Sequence, residues 1–279
     1  MKLPPKSVLN ETRRAPPGWK KTAWGMVLLC SLPMIYGAAP ASQSPVVAFS
    51  DFSTAGKLSL VENASRHGDV LRLTPARRMQ RGAAWFRDKL PLGQGFSTTF
   101  HFRLTDQDEG FGGADGFAFV IQNSGPSAIG SHGGAAGFGS GSDLWPPNVP
   151  GIPSSIAVFF DTCQNPENDD PAENYIGIYS MGRLPNESAS RSRLARTAQP
   201  LSANMKDGGV HTARIVYTPG SLSVSLDDAP VPAIMEAIEL SKLIGSDDAY
   251  VGFTAATGNG YENHDILSWS MSLGAPRTR

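Results

Sequence analysis

Apolar and polar residues alternate with a period of two in several short stretches after residue 45. In residues 221–226, Leu222, Val224 and Leu226 alternate with three serines. Two further stretches share this pattern, with one apolar face of Phe96, Phe100, Phe102 and Leu104 and another of Leu267, Trp269 and Met271. A period of two is typical of half-buried antiparallel strands, so we predict strands in residues 96–104, 221–226 and 266–271.

Eight more apolar runs, bounded by turn-forming residues, have the length of strands. They are residues 46–52, 70–74, 83–87, 116–122, 155–161, 175–180, 213–218 and 250–254. Only residues 233–243 have a spacing that could form a helix. Many short strands, few helices and no break in composition predict an all-β fold, a single antiparallel sandwich of two sheets. The long segments 124–153 and 181–204 interrupt the strands and are candidates for binding loops.

The composition is that of an ordered, turn-rich globular protein. Of the 279 residues, 30 are glycine, 22 are proline and 18% are charged, and the formal net charge is −1. A charge so close to zero gives no general attraction to nucleic acid or to an anionic membrane. We therefore predict no nucleic-acid partner.

The N-terminus has the pattern of a secretory signal peptide. Basic residues, among them Arg13, Arg14, Lys20 and Lys21, precede the apolar residues 24–36, and small residues at positions 39 and 41 suit a signal peptidase. We predict a signal peptide over residues 1–41 with cleavage near Ala41, which leaves residues 42–279 as one secreted or extracytoplasmic domain without a stable membrane span. Because the region before the apolar stretch is long, an uncleaved anchor is the alternative.

Cys163 is the only cysteine that remains after such a cleavage, because Cys30 lies within the removed segment. An intramolecular disulfide is then impossible. The fold must therefore be stabilised by its apolar core and by any metal ion that it binds.

Residues 156–178 combine two strand-like runs with a loop that is rich in oxygen ligands. The first run leads directly into Asp161, Asn165 follows four positions later, and Asp169 and Asp170 precede a proline. Carboxylate, amide and main-chain oxygens gathered in one loop are the ligands that Ca²⁺ prefers. From these residues alone, a solvated acidic turn is an equally good interpretation.

Three other segments carry related motifs. Residues 113–122 place Asp115 at the start of an apolar strand, residues 133–139 form a glycine-rich loop, and residues 251–258 lead into the motif at 262–270. Together with residues 156–178, they resemble the L-type lectins, the family of the legume seed lectins and their relatives. The resemblance extends from about residue 46 to residue 273, and four motifs in the same order are specific to that family.

The resemblance implies a Ca²⁺-dependent sugar-binding module on a jelly-roll sandwich. Asp115 resembles the carboxylate that follows a cis peptide bond and accepts hydrogen bonds from two sugar hydroxyls. Gly133 and Gly134 resemble the loop whose backbone approaches the sugar. Asn165 resembles the residue whose side-chain oxygen binds Ca²⁺ while its NH₂ group donates to the sugar.

The same resemblance implies the rest of the site. The Ca²⁺ ligands would be Asp161, the carbonyl of Cys163, Asn165 and Asp170, completed by water. The segment 257–261, which contains Gly258 and Asn259, resembles the variable loop that sets sugar preference.

The chain also departs from the legume lectin pattern. At two positions where those lectins have a Glu and a His that bind a transition metal, it has Phe159 and Tyr175. Because neither side chain suits such a metal, we predict that Ca²⁺ is bound and that a Mn²⁺ site is absent. Cys163 stands where an aromatic residue often stacks on the sugar, so that contact is missing unless Trp145, Tyr261 or another residue supplies it.

The leading prediction is a secreted, non-catalytic, calcium-dependent carbohydrate-binding protein whose partners are glycans or glycoproteins. A homodimer is possible. An alternative is a degenerate lectin fold with a structural or protein-binding role, which the missing aromatic favours and the pair of Asp115 and Asn165 opposes. A jelly-roll glycoside hydrolase is less favoured, because such enzymes need two carboxylates and the corresponding strand offers Asp161 without a glutamate.

Overall fold

The structure is a computed structural model that describes residues 45–54, 56–141, 148–197, 201 and 203–274. The predicted signal peptide lies outside the described residues. Within them, none of the helices has the length and apolar character needed to cross a membrane.

The described residues form sixteen strands and a single short α-helix, α1 (Leu240–Ile244). The strands are β1 (Val47–Phe49), β2 (Leu58–Glu62), β3 (Ser65–His67), β4 (Val70–Thr74), β5 (Arg81–Phe86), β6 (Leu90–Pro91), β7 (Phe96–Thr105), β8 (Gly116–Gln122), β9 (Ser155–Asp161), β10 (Tyr175–Tyr179), β11 (Arg193–Arg196), β12 (His211–Thr218), β13 (Ser221–Leu226), β14 (Ile234–Glu236), β15 (Asp248–Ala256) and β16 (Asn263–Leu273). Three 3-10 helices lie in loops, at Gly133–Ala135, Pro166–Asn168 and Ser190–Ser192.

The strands form two eight-stranded sheets. The first has the order β14-β13-β12-β7-β16-β4-β3, with β1 also paired to β16, and the second has the order β11-β10-β9-β8-β15-β5-β2, with β6 also paired to β15. The pairings among the described strands are antiparallel. The predicted all-β, antiparallel two-sheet jelly-roll sandwich is therefore confirmed.

Aromatic side chains fill the space between the sheets. On β7, the predicted apolar face is buried, because every second residue from Phe96 points inward. The ring of Phe100 from the first sheet lies 5.0 Å from that of Phe253 in the second. Within the second sheet, the rings of Phe117 and Phe160 stack at a centroid distance of 4.8 Å. Contacts of this kind fix the two sheets against each other.

A second apolar cluster covers the opposite face of the second sheet. Because side chains alternate between faces along a strand, Trp85 and Phe159 point away from the main core. There they meet the loop residues Phe138 and Ile152. The indole Nε1 of Trp85 donates a hydrogen bond to the carbonyl of Ala128 at 2.9 Å. As a result β8 and β9 are buried at all seven positions, which explains why their sequences are continuously apolar instead of alternating.

Most of the predicted strands are present, and four of them, 70–74, 116–122, 155–161 and 221–226, have the predicted bounds. The helical interpretation of residues 233–243 was wrong over its first half. Ile234 pairs with Val224 as the edge strand β14, and only α1 is helical. This edge strand and four others, β2, β3, β6 and β11, were not predicted.

The predicted apolar face of residues 266–271 also needs a correction. A register shift between Ile266 and Ser268 interrupts the pairing of β16 with β7. The shift turns Ile266 into the core together with Trp269 and Met271, while Leu267 is only half-buried. A bulge of this kind breaks the period of two on which the prediction depended.

Candidate functional site

The site lies at one end of the second sheet, where three central strands begin or end together. Gly116 at the start of β8 pairs with Asp161 at the end of β9 and with Ala256 at the end of β15. The chain segments beyond these pairs therefore meet at the same edge.

A cavity of about 350 Å³ opens at this edge. Its lining includes all six residues that were predicted to bind carbohydrate, Asp115, Gly133, Gly134, Asn165, Gly258 and Asn259. Cys163 lines it as well. Four loops that are distant in sequence thus converge on one concave surface, which is the usual form of a small-ligand site.

Asp115 is held at the floor of this cavity. Its peptide bond to Ala114 is cis, as the resemblance implied. The backbone N–H of Asp115 donates to the carbonyl of Ala256 at 3.1 Å, and its own carbonyl accepts from Thr162 at 3.2 Å. The side chain is only 5% exposed, and its Oδ2 has no hydrogen-bond partner among the described residues.

The ionised form of Asp115 is disfavoured in this environment. Burial of the carboxyl, followed by repulsion from Glu262, raises the pKa of Asp115 to about 7. A buried acceptor without a donor is costly unless a ligand supplies one. The unpartnered Oδ2 atom is therefore suited to accept a hydrogen bond from a hydroxyl group of a bound molecule.

The glycine loop faces Asn165 across the cavity. Gly133 donates a backbone hydrogen bond to the carbonyl of Thr257 at 3.1 Å, which ties this loop to the end of β15. A β-carbon on Gly134 would lie 2.6 Å from Oδ1 of Asn165, so a side chain there would force the amide of Asn165 to move. That Oδ1 atom is buried and has no hydrogen-bond partner within the described part of the chain.

The four predicted metal-binding residues are gathered just behind the cavity. Oδ1 of Asp161 accepts from the backbone N–H of Cys163 at 3.0 Å. Oδ2 of Asp170 accepts from the backbone N–H of Asn165 at 2.9 Å, and Oδ1 of Asp170 accepts from the hydroxyl of Tyr175 at 2.7 Å. These bonds tie both carboxylates to the backbone of the loop that contains Cys163 and Asn165.

The electrostatics of this group favour a bound cation. Burial, followed by repulsion from Asp170, raises the pKa of Asp161 well above its ordinary value. The pKa of Asp170 is also raised, mainly by burial. A divalent cation between two such carboxylates would offset both effects.

The donor chemistry fits a hard cation. Two carboxylates, an amide oxygen and a main-chain carbonyl are all oxygen ligands, as Ca²⁺ requires. Among the described residues, no three His, Cys, Asp or Glu side chains form a metal-binding group by themselves, so a site here depends on Asn165 and on the Cys163 carbonyl. Burial raises the pKa of the Cys163 thiol to about 12, which keeps it protonated and a poor ligand.

Phe159 and Tyr175, the two departures from the legume pattern, have other partners. Phe159 packs edge-on against Phe138 at 5.5 Å in the second apolar cluster. The hydroxyl of Tyr175 is bonded to Asp170 and lies 2.7 Å from that of Tyr179, and burial raises the pKa of Tyr175, so it stays neutral. Neither side chain offers an anionic or imidazole ligand for a transition metal.

A buried polar network that was not predicted supports Asp115 from behind. Oε1 of Glu262 accepts from the hydroxyl of Thr162 at 2.6 Å. Nε2 of His264 accepts from the backbone N–H of Gly116 at 3.2 Å, and its Nδ1 lies 2.6 Å from the hydroxyl of Thr74. The network links β16 and the residue before it to the segments at Gly116 and Thr162. Its one signal in the sequence is an unusual run of polar residues, 262–265, at the start of an apolar strand.

Of the two aromatic residues named for the missing stacking contact, Tyr261 lines a neighbouring depression, together with Arg78. Trp145 lies outside the described residues. The cavity wall does contain Phe111, His132 and Glu167, which sequence reasoning did not select.

Comparison with known proteins agrees with this geometry. A family model described as the legume lectin beta-barrel domain matches residues 48–269. The chain belongs to the L-type lectin family. The region of this L-type lectin that carries the cavity lies within the match, and the family membership makes the chain a lectin domain.

Individual relatives of this L-type lectin are plant proteins. It is 31% identical over 220 residues to a probable L-type lectin-domain containing receptor kinase I.2 of Arabidopsis thaliana, a match that covers 73% of this chain and 31% of the relative. The chain thus spans about a third of the length of that relative. The basic winged bean lectin with Tn-antigen has a TM-score of 0.64 at 26% identity, covering 81% of this chain and 96% of the other.

A more distant structure has the same fold. The lectin from Bauhinia forficata in complex with GalNAc has a TM-score of 0.64 at 24% identity, covering 81% of this L-type lectin and 96% of the other chain. The fold and the family are therefore established together.

Proposed function

We propose that the chain is a secreted, non-catalytic lectin that binds glycans or glycoproteins in a calcium-dependent manner. The observation that carries this proposal is the pair of buried, unpartnered oxygens, Oδ2 of Asp115 and Oδ1 of Asn165, at one glycine-lined cavity. One oxygen is aimed at a hydroxyl donor and the other at a cation.

The sugar is held by complementary hydrogen bonds. Neighbouring hydroxyls of a pyranose ring offer two donors, and the Asp115 carboxylate accepts both in charge-assisted bonds. The NH₂ group of Asn165 donates to a sugar oxygen while its Oδ1 faces the metal. The backbones of Gly133 and Gly134 approach the ring because they carry no side chain.

The loop that contains Gly258 and Asn259 closes the remaining side of the cavity. A β-carbon on Gly258 would lie 3.1 Å from Oδ2 of Asp115, so glycine keeps the approach to that oxygen open. The side chain of Asn259 lines the cavity and is free to select among sugar hydroxyls. We assign sugar preference to this loop.

Calcium would be held by Asp161, the Cys163 carbonyl, Asn165 and Asp170. When bound, it supplies positive charge that offsets the two buried carboxylates and orients the amide of Asn165. We propose that calcium alone is needed, because Phe159 and Tyr175 are engaged in packing and hydrogen bonding.

The proposed location is extracytoplasmic. It rests on the signal-peptide pattern of residues 1–41 and agrees with the receptor-kinase names of several relatives. The proposal also allows a homodimer, because the edge strands of the two sheets could pair with those of a second copy.

A degenerate lectin that binds protein is the second candidate, and the small side chain of Cys163 favours it. Cys163 lines the cavity where a stacking aromatic is expected. Among the relatives is arcelin-5, described as a lectin-like defense protein, which has a TM-score of 0.62 at 20% identity. That likeness concerns the fold alone.

The test is calorimetric titration of the protein with N-acetylgalactosamine, methyl-α-D-galactose and mannose, sugars carried by structures of similar fold. Each titration is run with Ca²⁺, with a chelator, and with Asp115→Asn. Asp228→Asn, an exposed carboxylate outside the cavity, is the matched control.

Binding that is lost with chelator and in Asp115→Asn, but kept in the control, would support the proposal. The degenerate-lectin alternative is favoured if the protein binds none of these sugars and no glycan on a wider array, while Ca²⁺ still raises its melting temperature.

A further inference from the structure

We propose that Phe111 provides the aromatic surface on which the bound sugar stacks, in place of the aromatic residue that Cys163 does not supply. This inference rests on the proposed function and adds a specificity-determining residue to it. The residue belongs to the loop before β8, whereas the expected aromatic position belongs to the loop after β9.

Phe111 lies at the rim of the cavity. It lines the same concave surface as Asp115 and Asn165. A β-carbon on Gly260 would lie 3.1 Å from Cβ of Phe111 and 3.0 Å from Cβ of Ala114, the residue that precedes Asp115. Phe111 therefore lies near Asp115, the residue proposed to accept hydrogen bonds from the sugar hydroxyls, both in sequence and in space.

The exposure of Phe111 is unusual for its residue type. Its side chain is 64% exposed, and of the large apolar side chains that are exposed in the described part of the chain it is the only aromatic one. Phenylalanine is normally among the most buried residues. An exposed aromatic ring beside a polar cavity is a common feature of a binding surface.

The backbone that carries Phe111 is well fixed. Oδ1 of Asp108 accepts hydrogen bonds from the N–H groups of Gly110 at 2.9 Å and Phe111 at 2.8 Å. The carbonyl of Asp108 accepts from Gly112 at 2.8 Å, and its N–H donates to the carbonyl of Tyr261 at 2.9 Å. The turn is thus closed on itself and tied to the variable loop, so the backbone at Phe111 needs little ordering when a ligand binds.

Arg78 adds a second restraint on the ring. Its guanidinium carbon lies 5.8 Å from the centroid of the Phe111 ring, within the range of a cation–π contact. The guanidinium also lies 3.8 Å from the carboxylate of Asp108. Phe111 lines both the neighbouring depression that contains Arg78 and the cavity that contains Asp115. The ring of Phe111 therefore lies between the depression and the cavity, with one face toward Arg78 and the other face open to the cavity.

This arrangement suits a sugar because a pyranose is amphipathic. Its hydroxyls lie around the edge, while the C–H groups on one face form an apolar patch. Asp115 and Asn165 would accept and donate at the edge, and the ring of Phe111 would cover the C–H patch and exclude water from it. Hydrogen bonds with one part of the ligand and apolar contact with another fix its orientation.

The inference is tested with the complete protein in saturating Ca²⁺, titrated with N-acetylgalactosamine, methyl-α-D-galactose and mannose. The variants are Phe111→Ala, Phe111→Trp and, as a matched control, Met235→Ala. Met235 is an apolar side chain of similar exposure, 69%, on the edge strand β14. Asp115→Asn is included as the variant that tests the site itself.

We expect Phe111→Ala to weaken the binding of the preferred sugar by about three- to tenfold, the size of one aromatic contact. Phe111→Trp should keep the affinity, and its indole fluorescence should shift when the sugar is added. Melting temperatures should match the parent protein in all Phe111 variants, because the ring is largely exposed, and Met235→Ala should bind normally.

Two results would overturn the inference in different ways. If Phe111→Ala binds like the parent protein while Asp115→Asn does not, the lectin function stands and Phe111 has no part in it. If the parent protein binds no sugar, the proposed function fails, and the role of Phe111 fails with it.

Discussion

Gly134 lies so close to the side-chain amide of Asn165 that a β-carbon at residue 134 would collide with Oδ1 of that amide. A β-carbon there would lie 2.6 Å from Oδ1 and 3.2 Å from Nδ2 of Asn168. Because Asn165 is proposed to face both the metal and the sugar, this single contact couples the two halves of the site.

Gly134→Ala should therefore impair calcium and sugar binding together. The added methyl group must displace Asn165 or the loop that contains residue 134, and either movement misplaces the amide. We expect a loss of sugar binding of at least about tenfold, the result of one misplaced hydrogen bond to a charged or metal-bound group. Calorimetric titration with sugar and with Ca²⁺ measures both effects. Gly56→Ala is the control, since a β-carbon there meets nothing within 4 Å.

Asp115→Asn should separate binding from stability. The substitution keeps the shape of the side chain but removes the charge that makes two strong hydrogen bonds, so sugar affinity should fall by about a hundredfold. Because burial raises the pKa of Asp115 to about 7, the ionised carboxylate is unfavourable in the folded protein, and the variant should melt at the same temperature or higher at pH 8. A lower melting temperature in calorimetry would contradict this account.

Sugar binding should weaken as the pH falls, because protonation of Asp115 removes the charge that accepts the sugar hydroxyls. In the metal-free protein the pKa of Asp115 is about 7. In the Ca²⁺-bound protein, the form proposed to bind sugar, the nearby positive charge should lower that pKa, so affinity should be constant near pH 8 and fall by about tenfold for each pH unit below the lowered pKa. Sugar titrations in saturating Ca²⁺ between pH 5 and 8 measure this decline.

The accompanying effect on stability has the opposite sign. Because the pKa of Asp115 is higher in the folded than in the unfolded protein, protonation favours the fold. The stabilising contribution of this group is complete below pH 4 and is lost as the pH rises through 7. Binding that is lost at pH 6 together with the fold would therefore contradict the role given to Asp115, and circular dichroism at each pH distinguishes the two cases.

Calcium should stabilise the folded protein through Asp161 and Asp170. At a free concentration one hundred times the dissociation constant, binding to the folded state alone adds about 2.7 kcal/mol to the free energy of unfolding. Thermal unfolding with Ca²⁺ and with chelator measures this shift. Asp161→Asn should abolish it, and Mn²⁺ added to the calcium-bound protein should give no further shift. A second increase in melting temperature with Mn²⁺ would contradict the prediction of a single metal.

The sequence was most informative where structure depends on local pattern. Strands such as β13 and β7 have one apolar face, and alternation alone predicted the bounds of β13 and all of β7 except its last residue. The short edge strand β14 did not, because Ile234 becomes a strand residue only through its pairing with Val224. The bulge near Ile266 was equally hidden, since it depends on the register with β7.

The candidate site shows the same division. Asp115, Asn165 and the glycines belong to short motifs that resemble those of the L-type lectins, and only that resemblance implied that they share one site. Phe111 could not be selected, because nothing in its local sequence indicates a ring on a cavity rim. Glu262 begins a motif that was noted, but the motif does not show that its carboxylate is buried behind the cavity. Their positions depend on contacts between distant loops, such as that of Asp108 with Tyr261.

The second apolar cluster gives the glycine loop an anchor that is independent of calcium. Phe138 is fully buried against Phe159 and Tyr179, and the carbonyl of Ala136 accepts from the hydroxyl of Thr254 at 2.8 Å. None of these contacts involves a proposed calcium ligand, so the wall formed by the glycine loop does not depend on the ion. If calcium is bound as proposed, its removal would disturb only the wall that contains Asn165. Re-added calcium would then restore sugar binding by reordering that one loop, without refolding of the domain.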